Sequence, residues 1–262
     1  MVGRGGKKID QTAENMISSH CQTCRCGMGN KRLNGGAILL KYRCLIVDHD
    51  DTVVNSTATV HYPCFVQYCA EYFPNYTCTL EHYFLKNFDP GVVAFFGKEV
   101  GMTQEQMMHE QTYWNEYVQH HIPKVYPGMR DILLRQKAEG GILCVISHSY
   151  RDNILRDYRE NNLPEPDMIF GWECPPDKRK PNSWPLEQIM ETYHLQPEEM
   201  LVLDDLKPGY DMARKVHVPF AAVGWANDIP EIESFMRNNC DLYFKRITEL
   251  NQWLFSEEEK KQ

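Results

Sequence analysis

The sequence predicts an α/β fold, a doubly wound parallel sheet with a helical subdomain inserted after its first strand. Short apolar runs at 43–47, 142–146, 168–170, 200–204 and 220–223 are almost continuously apolar rather than alternating. That is the pattern of parallel strands covered on both faces. Helical segments with identifiable ends lie between the later runs, which makes them βαβ units with right-handed crossovers. The first run breaks this rhythm, because residues 48–141 separate it from the second and most of that interval reads as helix.

Taken in chain order, residues 1–41 come first. They begin Met1-Val2-Gly3-Arg4-Gly5-Gly6-Lys7-Lys8 and carry no helical or strand period before Ala37. A poorly ordered extension is expected there. It contains His20, Cys21, Cys24 and Cys26 with one Cys-x-x-Cys spacing. A zinc site needs four ligands, and no second Cys or His pair follows nearby, so an extension without a metal is expected. The first strand then runs into Asp48. In the interval after it, Val66, Cys69, Ala70 and Phe73 recur at helical spacing. So do Met107, Trp114 and Val118, behind a capping-box start from Thr103 to Gln106. These assign a helical subdomain to 57–125 and the core to 42–56 and 126–262. The Met and aromatic stripe reads as the subdomain's own packing. Past the second strand, Asp152 is expected to cap a helix carrying Ile154, Leu155 and Tyr158. Ser183, with Pro185 in the first turn, is expected to start one carrying Leu186, Ile189, Met190 and Tyr193.

Composition limits the partners. The chain has 262 residues, 42% of them hydrophobic, and a formal net charge of -8, enough for a full core plus a smaller unit. Nucleic acid is not an expected partner, because its binders present a basic face to the phosphates. No apolar run approaches the roughly 20 residues that cross a bilayer, so no membrane span is expected. The ten cysteines are even in number, yet residues 1–20 lack the apolar stretch of a secretory signal. Cys44 and Cys144 sit inside apolar runs, where a thiol behaves as a small hydrophobe. Reduced thiols and a cytoplasmic location are expected.

Ligands of open parallel sheets bind at the carboxyl ends of the strands. Those ends read Val47-Asp48-His49-Asp50-Asp51-Thr52, Ile146-Ser147-His148-Ser149 and Leu203-Asp204-Asp205, with Lys180-Pro181 in the loop before a helix. Phosphoryl transfer needs a nucleophile in line with phosphorus, an acid for the leaving oxygen, and donors for the remaining oxygens. Asp48 and Asp50, two apart where the chain turns, can divide the first two tasks. Ser147 and Lys180 can supply the third. Converging carboxylates repel one another unless a cation neutralises them, and hard oxygen ligands favour Mg²⁺. Each residue alone has an ordinary explanation as a turn, cap or solvated charge. The signal lies in their ordered combination.

The segment Asp48-His49-Asp50-Asp51-Thr52-Val53-Val54-Asn55-Ser56 resembles the first motif of the haloacid dehalogenase superfamily, Asp-x-Asp-x-Thr/Val. Ser147 matches the second motif, Lys180-Pro181 the third, and Asp204-Asp205 with Gly209 the fourth. Pro127-Gly128, ahead of a helix at 129–137, resembles the place where an inserted cap returns to the core. The long insertion is similar to the helical cap of the phosphoglycolate phosphatase-like subfamily, over a Rossmann-like core. The resemblance implies Asp48 as nucleophile and metal ligand, and Asp50 as general acid then base that also binds the metal through its carbonyl. It implies Thr52 as support for that loop on the phosphate side, Ser147 and Lys180 on the phosphoryl oxygens, and Asp205 as a direct ligand with Asp204 behind it. Asp51 departs from the pattern, since the subfamily commonly has Gly there. The expected activity is Mg²⁺-dependent hydrolysis of a small phosphorylated metabolite through an aspartyl-phosphate. A phosphomutase resembling β-phosphoglucomutase carries the same motifs. A non-catalytic regulatory module is the third reading, against which all motif residues are present. In the insertion, Phe96-Gly97-Lys98-Glu99 resembles an inward-pointing cap loop and makes Lys98 a candidate substrate contact, ahead of Lys86 and His82. His49 and His148 flank the motifs and are candidate contacts that the mechanism does not need.

Overall fold

The computed structural model describes residues 40–256. The His20, Cys21, Cys24 and Cys26 cluster lies outside the described residues. Six parallel strands form one sheet: β1 (Cys44–Val47), β2 (Ile142–Ile146), β3 (Met168–Phe170), β4 (Met200–Asp204), β5 (Phe220–Val223) and β6 (Leu242–Phe244), in the order β3-β2-β1-β4-β5-β6. The chain builds outward from β1 through β2 to β3, then returns to the other side of β1 with β4. The strand order therefore reverses between β1 and β4, and in doubly wound sheets that switch point opens a crevice for ligand.

Helices arise where the continuous apolar runs give way to an apolar period of 3.6. Between β1 and β2 come a π-helical turn (Thr57–His61), α1 (Tyr62–Tyr72), α2 (Leu80–Phe88), α3 (Val92–Phe95), a second π-helical turn (Phe96–Val100) and α4 (Gln104–Gln119), and then α5 (Met129–Ala138) leads into β2. After β2 the chain alternates α6 (Arg151–Glu160), α7 (Trp184–Tyr193), α8 (Lys207–Lys215), α9 (Pro230–Asn239) and α10 (Ile247–Phe255) with the remaining strands. Alternate strand residues feed two opposite layers. Leu45, Val47, Leu143, Val145, Leu201 and Leu203 pack with Ile132 and Leu133 of α5, Ile154 and Tyr158 of α6, and Leu250 of α10. Cys44, Ile46, Cys144, Met200 and Val202 pack with Leu186 and Ile189 of α7, Met212 of α8 and Met236 of α9. Both faces are covered, as the continuous apolar runs require.

The helices after β1 have a cluster of their own around Phe65, Tyr68, Tyr83, Phe95, Phe96 and Met102. Phe84 and Phe88 of α2 point the other way and join the α7–α9 layer, with the Phe88 and Phe235 rings 5.3 Å apart. The chain leaves and re-enters the core side by side: the Asn55 N–H donates to the Lys124 carbonyl at 2.9 Å, and the Tyr126 N–H to the Val53 carbonyl at 3.0 Å.

The capping box at Thr103 and Gln106 forms as read. Two other helix starts differ. Asp152 does not cap α6, which begins after Tyr150 and places Asp152 within its first turn, where a carboxylate favours the positive end of the helix dipole. Ser183 does precede α7, but its hydroxyl donates to Glu187, and the Trp184 N–H is taken by Asn182. Cys44, Cys64, Cys69, Cys78, Cys144, Cys174 and Cys240 are all free thiols. No described helix is long and apolar enough to cross a membrane.

Candidate active site

Register brings the acidic residues together. Val47 pairs with Leu203 on one side and Val145 on the other, so one residue further along, Asp48 and Asp204 emerge side by side from the sheet. The Asp48 N–H donates to the Leu203 carbonyl at 2.9 Å and fixes this level. Ser147 continues β2 beside them, its N–H taken by the Phe170 carbonyl of β3.

Lys180 reaches in from the loop before α7, and its ammonium donates to Asp48 Oδ1 at 2.6 Å and Asp204 Oδ2 at 2.8 Å. All three side chains are buried. Asp204 is further held by the Leu206 N–H on Oδ1. Gly209 in the first turn of α8 is required there, because a Cβ would collide with the Asp204 carboxylate. Carboxylate oxygens of Asp48, Asp204 and Asp205 all lie within 4.8 Å of one another. Thr52, also buried, points its hydroxyl at Asp205 Oδ1 at a long 3.5 Å, and its carbonyl accepts from the Trp225 indole.

Burial and mutual repulsion set the charge state of this cluster. Burial pushes the Asp48 carboxyl up to about 7, with Lys180 pulling it back and Asp204 and Asp50 pushing it further. Burial, then Asp51 and Asp204, hold Asp205 well above the ordinary carboxylate range. Burial opposes the charge on Lys180, but Asp204 and Asp48 outweigh it and keep the ammonium protonated. One ammonium does not balance these carboxylates. An all-oxygen donor set of this kind fits a hard divalent cation, whose charge would relieve the repulsion.

Asp50 is separated from the cluster by its partners. Its Oδ1 takes a hydrogen bond from His61 Nε2 at 2.9 Å, and its Oδ2 takes one from the Ser149 hydroxyl at 2.6 Å and a weaker one from Ser147 at 3.3 Å. Burial opposes ionisation, but the His61 ring and the Ser149 hydroxyl outweigh it and hold Asp50 well below the usual carboxylate range. The Trp114 indole N–H donates to His61 Nδ1 at 3.0 Å. An indole nitrogen can only donate, so in this arrangement the His61 proton sits on Nε2, facing Asp50.

Asp51 lies in the left-handed region, with φ of 60°. Glycine adopts that conformation freely and Asp is among the few other residues that tolerate it, which is the physical reason for the departure noted in the motif. The Asp51 carboxylate is used: Oδ1 accepts the Thr57 N–H at 3.1 Å, at the start of the π-helical turn.

The structure brings together Asp48, Asp50, Thr52, Ser147, Lys180, Asp204 and Asp205, and among the described residues no hydrogen bond ties Lys98 to them. Lys98 is exposed on the second π-helical turn and makes no hydrogen bond or ion pair among the described residues. His82 and Lys86 instead pair with Glu99. Of the flanking histidines, His49 is buried and bonds Asp157 at 3.0 Å, so it is a structural partner of α6 rather than a free contact. His148 bonds the Lys180 carbonyl at 3.1 Å and meets the Trp172 ring edge-on. Sequence reasoning missed His61, Trp114 and Ser149. The first two carry no motif and meet only in the fold. Ser149 stands two residues after Ser147, a spacing that returns its side chain to the same side of an extended segment.

Residues 45–223 match the family model of haloacid dehalogenase-like hydrolases. The chain belongs to that family. No curated protein matches this hydrolase by sequence. Among solved structures it is similar to a predicted phosphoglycolate phosphatase from Haemophilus somnus, at 16% identity and a TM-score of 0.63 over 81% of this chain and 98% of that one. A mutant CbbY from Rhodobacter sphaeroides, in complex with xylulose-(1,5)bisphosphate, matches at 16% identity and a TM-score of 0.62 over 80% and 96%. A HAD family hydrolase from Deinococcus radiodurans with bound phosphate and sodium matches at 16% and 0.62 over 82% and 96%. At this identity the likeness is one of fold.

Proposed function

We propose that this hydrolase is a magnesium-dependent phosphatase that cleaves a small phosphate monoester through an aspartyl-phosphate on Asp48. The observation that carries the reading is the convergence of Asp48, Lys180, Asp204 and Asp205 at the sheet's switch point, with Asp50 held apart by three hydrogen bonds. The phosphate and the xylulose bisphosphate bound by the two structural neighbours support a phosphorylated small molecule as substrate.

In this reading the Asp48 carboxylate attacks phosphorus, and Asp50, which takes up a proton from solvent as the negative charge of the phosphate enters the site and raises its pKa, gives that proton to the leaving oxygen. The charge-assisted donor Lys180 and the Ser147 hydroxyl hold the phosphoryl oxygens. Asp50 then takes a proton from water, which attacks the aspartyl-phosphate and releases phosphate and the Asp48 carboxylate. Asp48 and Asp205, with the Asp50 carbonyl, would hold the metal. Asp204 is already committed to Lys180 and the Leu206 N–H and supports from behind. The cation, when bound, neutralises the carboxylates and polarises the phosphoryl group. The helical insertion, residues 57–125, serves as the cap that excludes water and selects the leaving group.

Hydrolysis of p-nitrophenyl phosphate with Mg²⁺ tests this directly. Turnover should vanish in excess EDTA. Radiolabelled substrate quenched in acid should leave a hydroxylamine-sensitive phosphoryl label on the wild type and none on Asp48→Asn. A label of equal intensity on Asp48→Asn would remove it as nucleophile.

A further inference from the structure

A narrow cavity lies beside Asp50, between α6 and the side chains of His61 and Trp114, and it is also lined by Ser149 and Asn153. Asn153 is 6% exposed. Its Oδ1 accepts from Gln119 Nε2 at 2.9 Å, while its Nδ2 has no hydrogen-bond partner among the described residues. An unpartnered buried amide N–H costs about 1–3 kcal/mol, so such groups are normally satisfied. The free space in the cavity is about 10 Å³. One water needs about 10–15 Å³ by the same measure, together with two to four polar partners. A leaving group of several heavy atoms does not fit, and a water does. Asp50 offers the complementary acceptor, because a carboxylate has about four lone-pair sites and three are taken, by His61, Ser149 and Ser147.

We propose that this cavity, which neither Asp48 nor Lys180 lines, is a site for one ordered water, held by a hydrogen bond from Asn153 Nδ2 and donating its own to Asp50, and that this water moves past Asp50 into the space the leaving group vacates to supply the second half of the reaction. The inference rests on the aspartyl-phosphate reading and deepens it. In that half-reaction the water oxygen forms a bond to phosphorus as the bond from phosphorus to Asp48 breaks. One water proton passes to Asp50, and the electron pair of the broken bond returns to the Asp48 carboxylate. The first half-reaction needs no water, so Asn153 is a positioning residue for dephosphorylation alone.

Pre-steady-state hydrolysis of p-nitrophenyl phosphate by the full chain with Mg²⁺ separates the two halves, because nitrophenolate is released in the first. Asn153→Leu fills the cavity with methyl groups. Its burst rate should stay within about two-fold of wild type while steady-state turnover falls about ten-fold or more, with labelled phosphoenzyme accumulating. Asn153→Asp keeps the shape and retains a group that can accept from the water, and it should lie between the two. Gln119→Ala removes the bond that orients the Asn153 amide, and it should slow steady-state turnover less than Asn153→Leu does while leaving the burst unchanged. If the burst and steady-state rates of both Asn153 variants fall in parallel, or neither changes, the water site is overturned. If the wild type itself forms no phosphoenzyme, the nucleophile reading fails first and takes this one with it, an outcome visible before any variant is compared.

Discussion

The core and the helical insertion treat buried charge differently. Around β1 and α6, each buried acidic side chain has a partner. Asp48 and Asp204 share Lys180, Asp157 bonds both His49 and Arg156, and Asp51 accepts the Thr57 N–H. In the insertion, Glu110 of α4 is 8% exposed and has no hydrogen-bond or ion-pair partner among the described residues. Burial pushes its carboxyl up to about 7, with His61 pulling it back. Burial raises carboxyls in both, but the core pairs Asp48 with an ammonium, whereas the insertion leaves Glu110 without a hydrogen-bond partner among the described residues.

Removing the cation at the centre of the core network should have the largest effect. Lys180→Met leaves Asp48 and Asp204 buried without a counter-charge, and turnover should fall roughly 10²–10³-fold. The same variant should lose about 3 kcal/mol of stability in denaturant titrations at pH 7, and less at pH 5, where the Asp48 carboxyl is protonated. His61→Ala removes one hydrogen bond to Asp50 and the acceptor of the Trp114 indole, and kcat should drop about ten-fold with KM little changed. Equal losses in kcat and in thermal stability would reduce His61 to a packing residue.

Glu110→Gln tests the insertion. The folded-state pKa of Glu110 lies above its ordinary value of 4.5, so the folded form binds the extra proton between the two. Its contribution to stability is fully present below pH 4.5 and is lost as pH rises through 7. The glutamine variant should therefore melt higher than wild type at pH 8 and at the same temperature at pH 4. A glutamine variant that melts lower than wild type at pH 8 would mean that Glu110 is ionised and paired. The smallest effect belongs to Lys98→Ala, which should raise KM no more than about two-fold, as expected for exposed surface positions. A larger rise would mean that the second π-helical turn swings onto the substrate during turnover.

The readability of the sequence follows the same divide. Continuous apolar runs marked five of the six strands, and the acidic loops following β1 and β4 marked the site, because strand ends in a parallel sheet converge whatever joins them. β6 escaped: three residues between Asp241 and Lys245 give too short a period to separate from a turn. The tie from Trp114 through His61 to Asp50 spans 53 residues in its first step. Local pattern cannot carry it, since Trp114 alone reads as part of an amphipathic helix and His61 belongs to no motif. Asp51 was legible as an oddity, but its reason, a left-handed backbone, emerges only in the fold.

Asn55 and Lys124 stand one hydrogen bond apart although almost the whole insertion lies between them. The sheet accordingly sees this long excursion as little more than a pinched loop. Such a junction lets one helical unit be exchanged for another without disturbing strand order. A shortened chain joining these two points through a tight glycine-containing turn is a direct way to ask whether the remaining scaffold folds unaided.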